Sequence, residues 1–175
     1  MVSTELRKSA VEVLDRKEWL RLHYDPDHLS ASQAAAALGF DPWCTPLKLY
    51  ALRRGQTPPP DTTLQMRLGK MLEPVTAQLY EEATQRPTVD LGEYAIIRHP
   101  ALPWLFATLD RLAVREVSRD PLGVANPSYN AEGAVELKST GSYGKKDWED
   151  DAYPVQYAMQ NQVQLMCADL SWGSL

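Results

Sequence analysis

The feature that most constrains this chain is a change of vocabulary at about Glu93. Before it, apolar residues recur every three or four positions. After it come three short apolar runs, at 94–97, 105–114 and 134–137, and then the stretch 154–168, long enough for a helix and free of breakers. Helices, a small sheet and one further helix predict an α/β (α+β) domain. The segment 169–175 reads as the start of one more strand.

The helical half carries punctuation. Val11, Leu14 and 18–22 show helical spacing, and Ser30-Ala31-Ser32 precedes a helical run that ends at Gly39. Thr45-Pro46 supplies an N-cap and first helical residue, with Gly55 as the stop. Leu64, Leu68, Leu72, Val75, Leu79 and Ala83 mark a longer helix that Pro74 either kinks or begins.

With 175 residues, 44% of them hydrophobic and 23% charged, the chain can bury a core and reads as a single domain. A net charge of -5 excludes a global basic field, so any nucleic-acid contact must be local. Arg53, Arg54, Arg67, Lys70, Arg111, Lys145 and Lys146 are candidates for such a track, and Asp147, Glu149, Asp150 and Asp151 account for much of the opposing charge. Two cysteines, Cys44 and Cys167, are too few for a disulfide scaffold, a four-thiolate zinc site or an iron–sulfur cluster. The charged first nineteen residues offer no signal peptide or membrane helix, so the expectation is a cytoplasmic protein with no membrane anchor.

The chemistry concentrates in the strands. Residues two apart share a strand face, which sets Glu136 beside Lys138 and Thr108 beside Asp110. If the two strands pair, Asp110 meets Glu136, and two converging carboxylates call for a cation between them. Oxygen ligands favour a hard ion such as Mg²⁺. The bland readings are a surface Glu-x-Lys pair and a turn Asp. Glu73 stands among Met71, Leu72 and Val75, either as a further buried carboxylate or as a helix-start acid next to Pro74. Gln156, Gln160 and Gln164 form a stripe that is either solvated or lines a polar cleft. Ser32 reads as an N-cap or as a phosphate-binding serine at a helix start, and Trp43, Tyr50 and Trp148 read first as core.

In order along the chain stand Glu18-Trp19, Ser30-Ala31-Ser32-Gln33-Ala34-Ala35-Ala36-Ala37-Leu38-Gly39, Gly69-Lys70-Met71-Leu72-Glu73-Pro74, Ala107-Thr108-Leu109-Asp110, Glu136-Leu137-Lys138 and Gln160-Asn161-Gln162. This succession resembles the YqaJ-like viral recombinase family, the phage lambda exonuclease group of the PD-(D/E)xK nuclease superfamily. The resemblance implies a restriction-endonuclease-like core, with a small mixed central sheet flanked by helices, and a Mg²⁺-dependent exonuclease, with Mn²⁺ as a substitute ion, that degrades one strand of linear duplex DNA from its 5′ end. By position it implies Asp110, Glu136 and the Leu137 carbonyl as metal ligands, Glu73 completing the shell, Lys138 activating water and Gln160 near that water. Ser32, with Arg21 or His23, is implied to hold the 5′-phosphate. A homotrimeric ring, a single-strand annealing partner of the RecT or Red-beta kind, and the bacterial host cell of a phage or prophage as its setting belong to the same implication. Arg111 replaces the glycine usual after the aspartate and is a candidate DNA-backbone contact. The chain also stops within what reads as the next strand, which suggests a domain shortened at its C-terminus. The alternatives are an endonuclease or structure-specific nuclease on the same core, and a non-catalytic DNA-binding or assembly module.

Overall fold

The computed structural model describes residues 11–115, 131–140, 148 and 153–175. In chain order the elements are β1 (Val11–Val13), α1 (Arg16–Tyr24), β2 (Leu29–Ser30), a 3-10 turn (Ala31–Gln33) that leads into α2 (Ala34–Leu38), α3 (Pro46–Arg53), α4 (Leu64–Thr84), β3 (Thr88–Val89), β4 (Ala95–Arg98), β5 (Leu105–Ala107), β6 (Arg111–Val114), β7 (Ala131–Val135), α5 (Val155–Ala168) and β8 (Gly173–Ser174). Oxygen side chains start three of the helices. Asp15 accepts from the Glu18 amide, Thr45 from Lys48 and Thr63 from Met66, each satisfying a donor that the first turn leaves free.

Among the described residues the strands form two four-stranded sheets, where a single small sheet was expected. One runs β1-β4-β5-β2 and the other β3-β6-β7-β8. Both are mixed: β2 joins β5 and β8 joins β7 in parallel, and the remaining pairings are antiparallel. The division arises because the apolar run 105–114 is two strands, separated by Thr108-Leu109-Asp110. Alternation distributes their side chains. Ile97, Leu105 and Ala107 join Leu109, Leu112, Ala134, Cys167 and Ala168 in the main core beneath α5, while Ile96 and Phe106 turn to the other side and pack with Leu22, Leu14 and Trp19.

Other boundaries also move. Val11-Glu12-Val13 pairs with Ala95-Ile96-Ile97 as a strand, so the first helix begins only after the Asp15 cap. Helix α4 runs unbroken through Pro74, and Met71, Leu72 and Val75 are exposed, so Glu73 is not set among buried apolar neighbours. β7 ends at Val135, which puts Glu136, Leu137 and Lys138 just beyond the strand. Among the described residues no helix is long and apolar enough to cross a membrane.

Candidate active site

Pairing of β6 with β7 sets Arg111 opposite Val135. The residues flanking that pair, Asp110 and Glu136, are thereby brought to the same end of the ladder. Asp110 Oδ2 accepts the Leu137 amide at 2.9 Å, which ties the turn after β5 to the segment after β7.

Glu136 is almost wholly buried, and its carboxylate is held from three sides. Gln160 Nε2 donates to Oε1 at 2.6 Å and Lys138 Nζ binds the same oxygen, while Gln164 Nε2 donates to Oε2 at 2.5 Å. Burial pushes the Glu136 carboxyl above its ordinary pKa. The Lys138 ammonium works against that rise, and the Asp110 carboxylate adds to it. Burial acts to lower the Lys138 pKa, but Glu136 outweighs it and the net shift is upward, which keeps the ammonium charged. Lys138 Nζ also stands 4.9 Å from the Tyr157 ring centre, over its face.

A cavity of about 820 Å³ opens in front of this cluster. Its walls include Asp110, Leu137 and Lys138 on one side and Lys70 and Glu73 of α4 on the other. Lys70 donates to Glu73 Oε2 at 2.8 Å. Burial depresses the Lys70 pKa, but Glu73, Glu93 and Asp110 more than compensate and the net shift is upward. A smaller cavity of about 170 Å³ shares Lys70, Glu73 and Asp110 and continues to Asp90 and Glu93. Among the described residues no three His, Cys, Asp or Glu side chains converge as a metal cage. Ammonium groups instead neutralise Glu136 and Glu73. The nearby donors Asp110, Glu136, Glu73 and the Leu137 carbonyl are all hard oxygens, the set that Mg²⁺ prefers, so the residues present fit such an ion chemically. Lys138 would have to yield Glu136 Oε1 to it.

The residues expected around a 5′-phosphate stand outside the two cavities. Ser32 is exposed, with its Oγ 3.1 Å from Ser30 Oγ, and Arg21 is exposed beside Asp25 at 3.7 Å. His23 stacks on Trp19 at 4.7 Å, and burial together with the Arg53 charge lowers its pKa to about 4, so it is a neutral ring at pH 7. None of the three lines either cavity. Arg53 is held inside, donating to Gln33 Oε1 at 2.7 Å and to the Asp25 carbonyl, and so is not a free surface charge. Arg111 is likewise mostly enclosed, bonded to Asp90 Oδ2 at 3.0 Å and to the Asp110 carbonyl at 2.7 Å. Lys145 and Lys146, with the acidic stretch beside them, lie outside the described residues. Trp148 stacks on Tyr157 with ring centres 5.7 Å apart.

Of the glutamine stripe Gln156, Gln160 and Gln164, the last two reach the Glu136 carboxylate, whereas Gln162, on another face of α5, is exposed. Sequence reading placed Gln164 on a stripe that is either solvated or lines a polar cleft, and gave a role beside the attacking water to Gln160 alone. Lys70 carried a similar signal three residues before Glu73. Tyr157, at the start of α5, carried none.

A family model described as the YqaJ-like viral recombinase domain matches residues 18–171. The protein YqaJ of Bacillus subtilis (strain 168) is 28% identical over 153 residues, an alignment that takes in 87% of this chain and 42% of that protein's length. Among solved structures, the alkaline exonuclease LHK-Exo of Laribacter hongkongensis superposes with a TM-score of 0.62 at 20% identity, covering 90% of this chain and 73% of the other. Its complex with dAMP gives 0.63 over the same shares. At that identity the likeness is one of fold, that of an alkaline exonuclease. With the family model covering nearly the whole described chain, the protein belongs to the YqaJ-like viral recombinase domain family.

Proposed function

We propose that this chain is a Mg²⁺-dependent DNA exonuclease that resects linear double-stranded DNA in the 5′-to-3′ direction for phage-type recombination. The observation that carries the reading is the convergence of Asp110, Glu136 and Lys138 at the end of the β6–β7 ladder, facing Lys70 and Glu73 across a cavity of about 820 Å³. Family membership and the alkaline-exonuclease fold of LHK-Exo support it.

In this reading Asp110, Glu136, the Leu137 carbonyl and Glu73 hold the metal, and Mn²⁺ replaces Mg²⁺. When bound, the ion lowers the pKa of a water and neutralises charge on the phosphodiester being cut. The chain's own residues do the rest. Lys138, kept protonated by Glu136, orients the attacking water through its ammonium. Gln160 and Gln164 hold the Glu136 carboxylate in one orientation, and Lys70 offers a second ammonium to the phosphate. Ser32, with Arg21 or His23, is the proposed contact for a 5′-phosphorylated end. A homotrimeric ring and a single-strand annealing partner rest on the family resemblance alone.

The test is digestion of strand-specifically labelled linear duplex beside closed circular DNA, with Mg²⁺ or EDTA and with Lys138→Ala as control. Loss of the 5′ strand of linear DNA only, dependent on Mg²⁺ and absent in the variant, is the expected result. Cleavage of circles favours an endonuclease on the same core. No cleavage by folded protein favours a binding or assembly module.

A further inference from the structure

Helix α5 meets the site with one face. Tyr157, Gln160 and Gln164 follow one another at steps of three and four residues, the spacing that aligns side chains along a helix. Gln160 and Gln164 each take one oxygen of the Glu136 carboxylate. Tyr157 stands one turn nearer the helix start, and there the same face meets the other member of the pair: Lys138 Nζ lies over the Tyr157 ring, 4.9 Å from its centre. One face of one helix therefore holds both the buried acid and its ammonium, the first by amides and the second by a ring.

A ring suits what the ammonium has to do. Lys138 carries its charge on a flexible four-carbon stem, and an ammonium has three donors. One of them goes to Glu136 Oε1. A carboxylate beneath Nζ would claim a second donor and turn the group away from the cavity. The face of an aromatic ring attracts the charge through its quadrupole without such a claim. It therefore fixes where Nζ stands and leaves donors for the cavity, which Lys138 and Tyr157 both line. The ring is itself held. The Tyr157 amide donates to the Pro154 carbonyl at 3.0 Å in the first turn of α5, and Trp148 stacks on the ring at an interplanar angle of 22°.

We propose that Tyr157 is a positioning residue for the nuclease reaction: its ring seats the Lys138 ammonium and aims it at the attacking water. Tyr157 acts through Lys138, and its hydroxyl exchanges no proton in the reaction. The inference rests on the nuclease reading above and deepens it by naming what holds the lysine in place.

The experiment is Mg²⁺-dependent digestion of labelled linear duplex by the full chain, by Tyr157→Phe and by Tyr157→Leu, with kcat and KM resolved. Thermal melts of wild type, Tyr157→Leu, Lys138→Met and the double variant accompany it. Tyr157→Phe keeps the ring and drops the hydroxyl, so its kcat is expected to stay within about threefold of wild type, short of the hundredfold or more that loss of a proton donor costs. Tyr157→Leu is expected to lower kcat about ten- to a hundredfold and to change KM by no more than about twofold. In the melts, the loss caused by Tyr157→Leu is expected to be smaller by about 2–4 °C when Lys138 is already Met, because the two residues no longer interact. A Leu variant with wild-type kcat, a Phe variant as impaired as Leu, a loss confined to KM, or melting losses that simply add would overturn the proposal and leave the nuclease reading standing. A folded wild type that cleaves no DNA would remove the nuclease reading itself, and this role with it.

Discussion

Gln164 Nε2 stands 2.5 Å from Glu136 Oε2 and 3.1 Å from the Thr108 carbonyl, so one carboxamide joins the buried carboxylate to the turn that carries Asp110. Asn161 Nδ2 in turn donates to Gln164 Oε1 at 3.2 Å, which fixes the orientation of that amide. Replacing Gln164 with Met, of similar length, leaves a buried carboxylate oxygen and a carbonyl short of a donor. The expected loss is about 1–3 kcal/mol in urea unfolding, with nuclease activity down about tenfold or more. Unchanged stability would show that the network is dispensable.

Lys138→Met leaves Glu136 buried without its counter-charge. A fully buried pair loses about 3–5 kcal/mol when one partner is removed. Because Lys138 is a quarter exposed, the expected loss here is smaller, about 1–3 kcal/mol. Adding Glu136→Gln should restore most of the stability and none of the activity. Thermal melts of the single and double variants, run beside the DNA digestion, separate the structural role from the chemical one.

Asp110 raises the Glu136 pKa by like-charge repulsion, so Asp110→Asn relieves that repulsion and keeps an oxygen to accept the Leu137 amide. Without divalent ion the variant should melt at the wild-type temperature or slightly above. With Mg²⁺, wild type should gain stability by mass action and the variant should not. Activity should fall at least about a hundredfold, the usual scale for lost electrostatic stabilisation at a reacting centre. A Mg²⁺-induced shift that persists in the variant would remove Asp110 from the ligand set.

His23 titrates near 6.5 when unfolded and at about 4 in the fold, where burial and the Arg53 charge oppose its protonation. Between those values the unfolded chain binds the extra proton, so stability is complete above about pH 6.5 and is lost as pH falls toward 4. The full effect is about 3 kcal/mol. Denaturant titrations at pH 7 and pH 4.5 should show a larger drop for wild type than for His23→Phe, which also retains the ring packing on Trp19.

Gly133 in β7 faces the Trp172 indole so closely that a Cβ there would lie 2.5 Å from ring atoms. Gly133→Ala therefore has to displace Trp172, whose ring Arg86 covers at 4.8 Å. Such overpacking costs about 1–3 kcal/mol. Melting temperature and tryptophan emission should change together, and a neutral substitution would mean that β8 yields freely.

Much of the fold was legible wherever the signal is local. Thr45-Pro46 capped α3, Gly39 ended α2 with φ of 82°, and the breaker-free run before Asp169 became α5. The meeting of Asp110 and Glu136 was also accessible, because it needs only the pairing of two neighbouring strands. The break at Thr108-Leu109-Asp110 was not. Leu109 is buried like its strand neighbours, and the turn is held by partners far along the chain: Trp19 Nε1 on Thr108 Oγ1 at 3.2 Å and Gln164 on the Thr108 carbonyl. An apolar run records burial without recording direction, so one strand and two look alike. Likewise nothing near Arg53 announces that its guanidinium turns inward to Gln33 and Asp25.

The parallel strand β8 gives the site an unusual dependence. The Ser174 carbonyl takes the Glu136 amide at 2.9 Å, and the Trp172 carbonyl takes that of Ala134 at 3.2 Å. The backbone that presents the buried carboxylate is therefore stitched on one side to β6 and on the other to a strand of two residues. A change in the short stretch between α5 and Gly173 therefore reaches the site through the backbone, by way of the Ser174 acceptor of the Glu136 amide, without touching a charged group of the cluster.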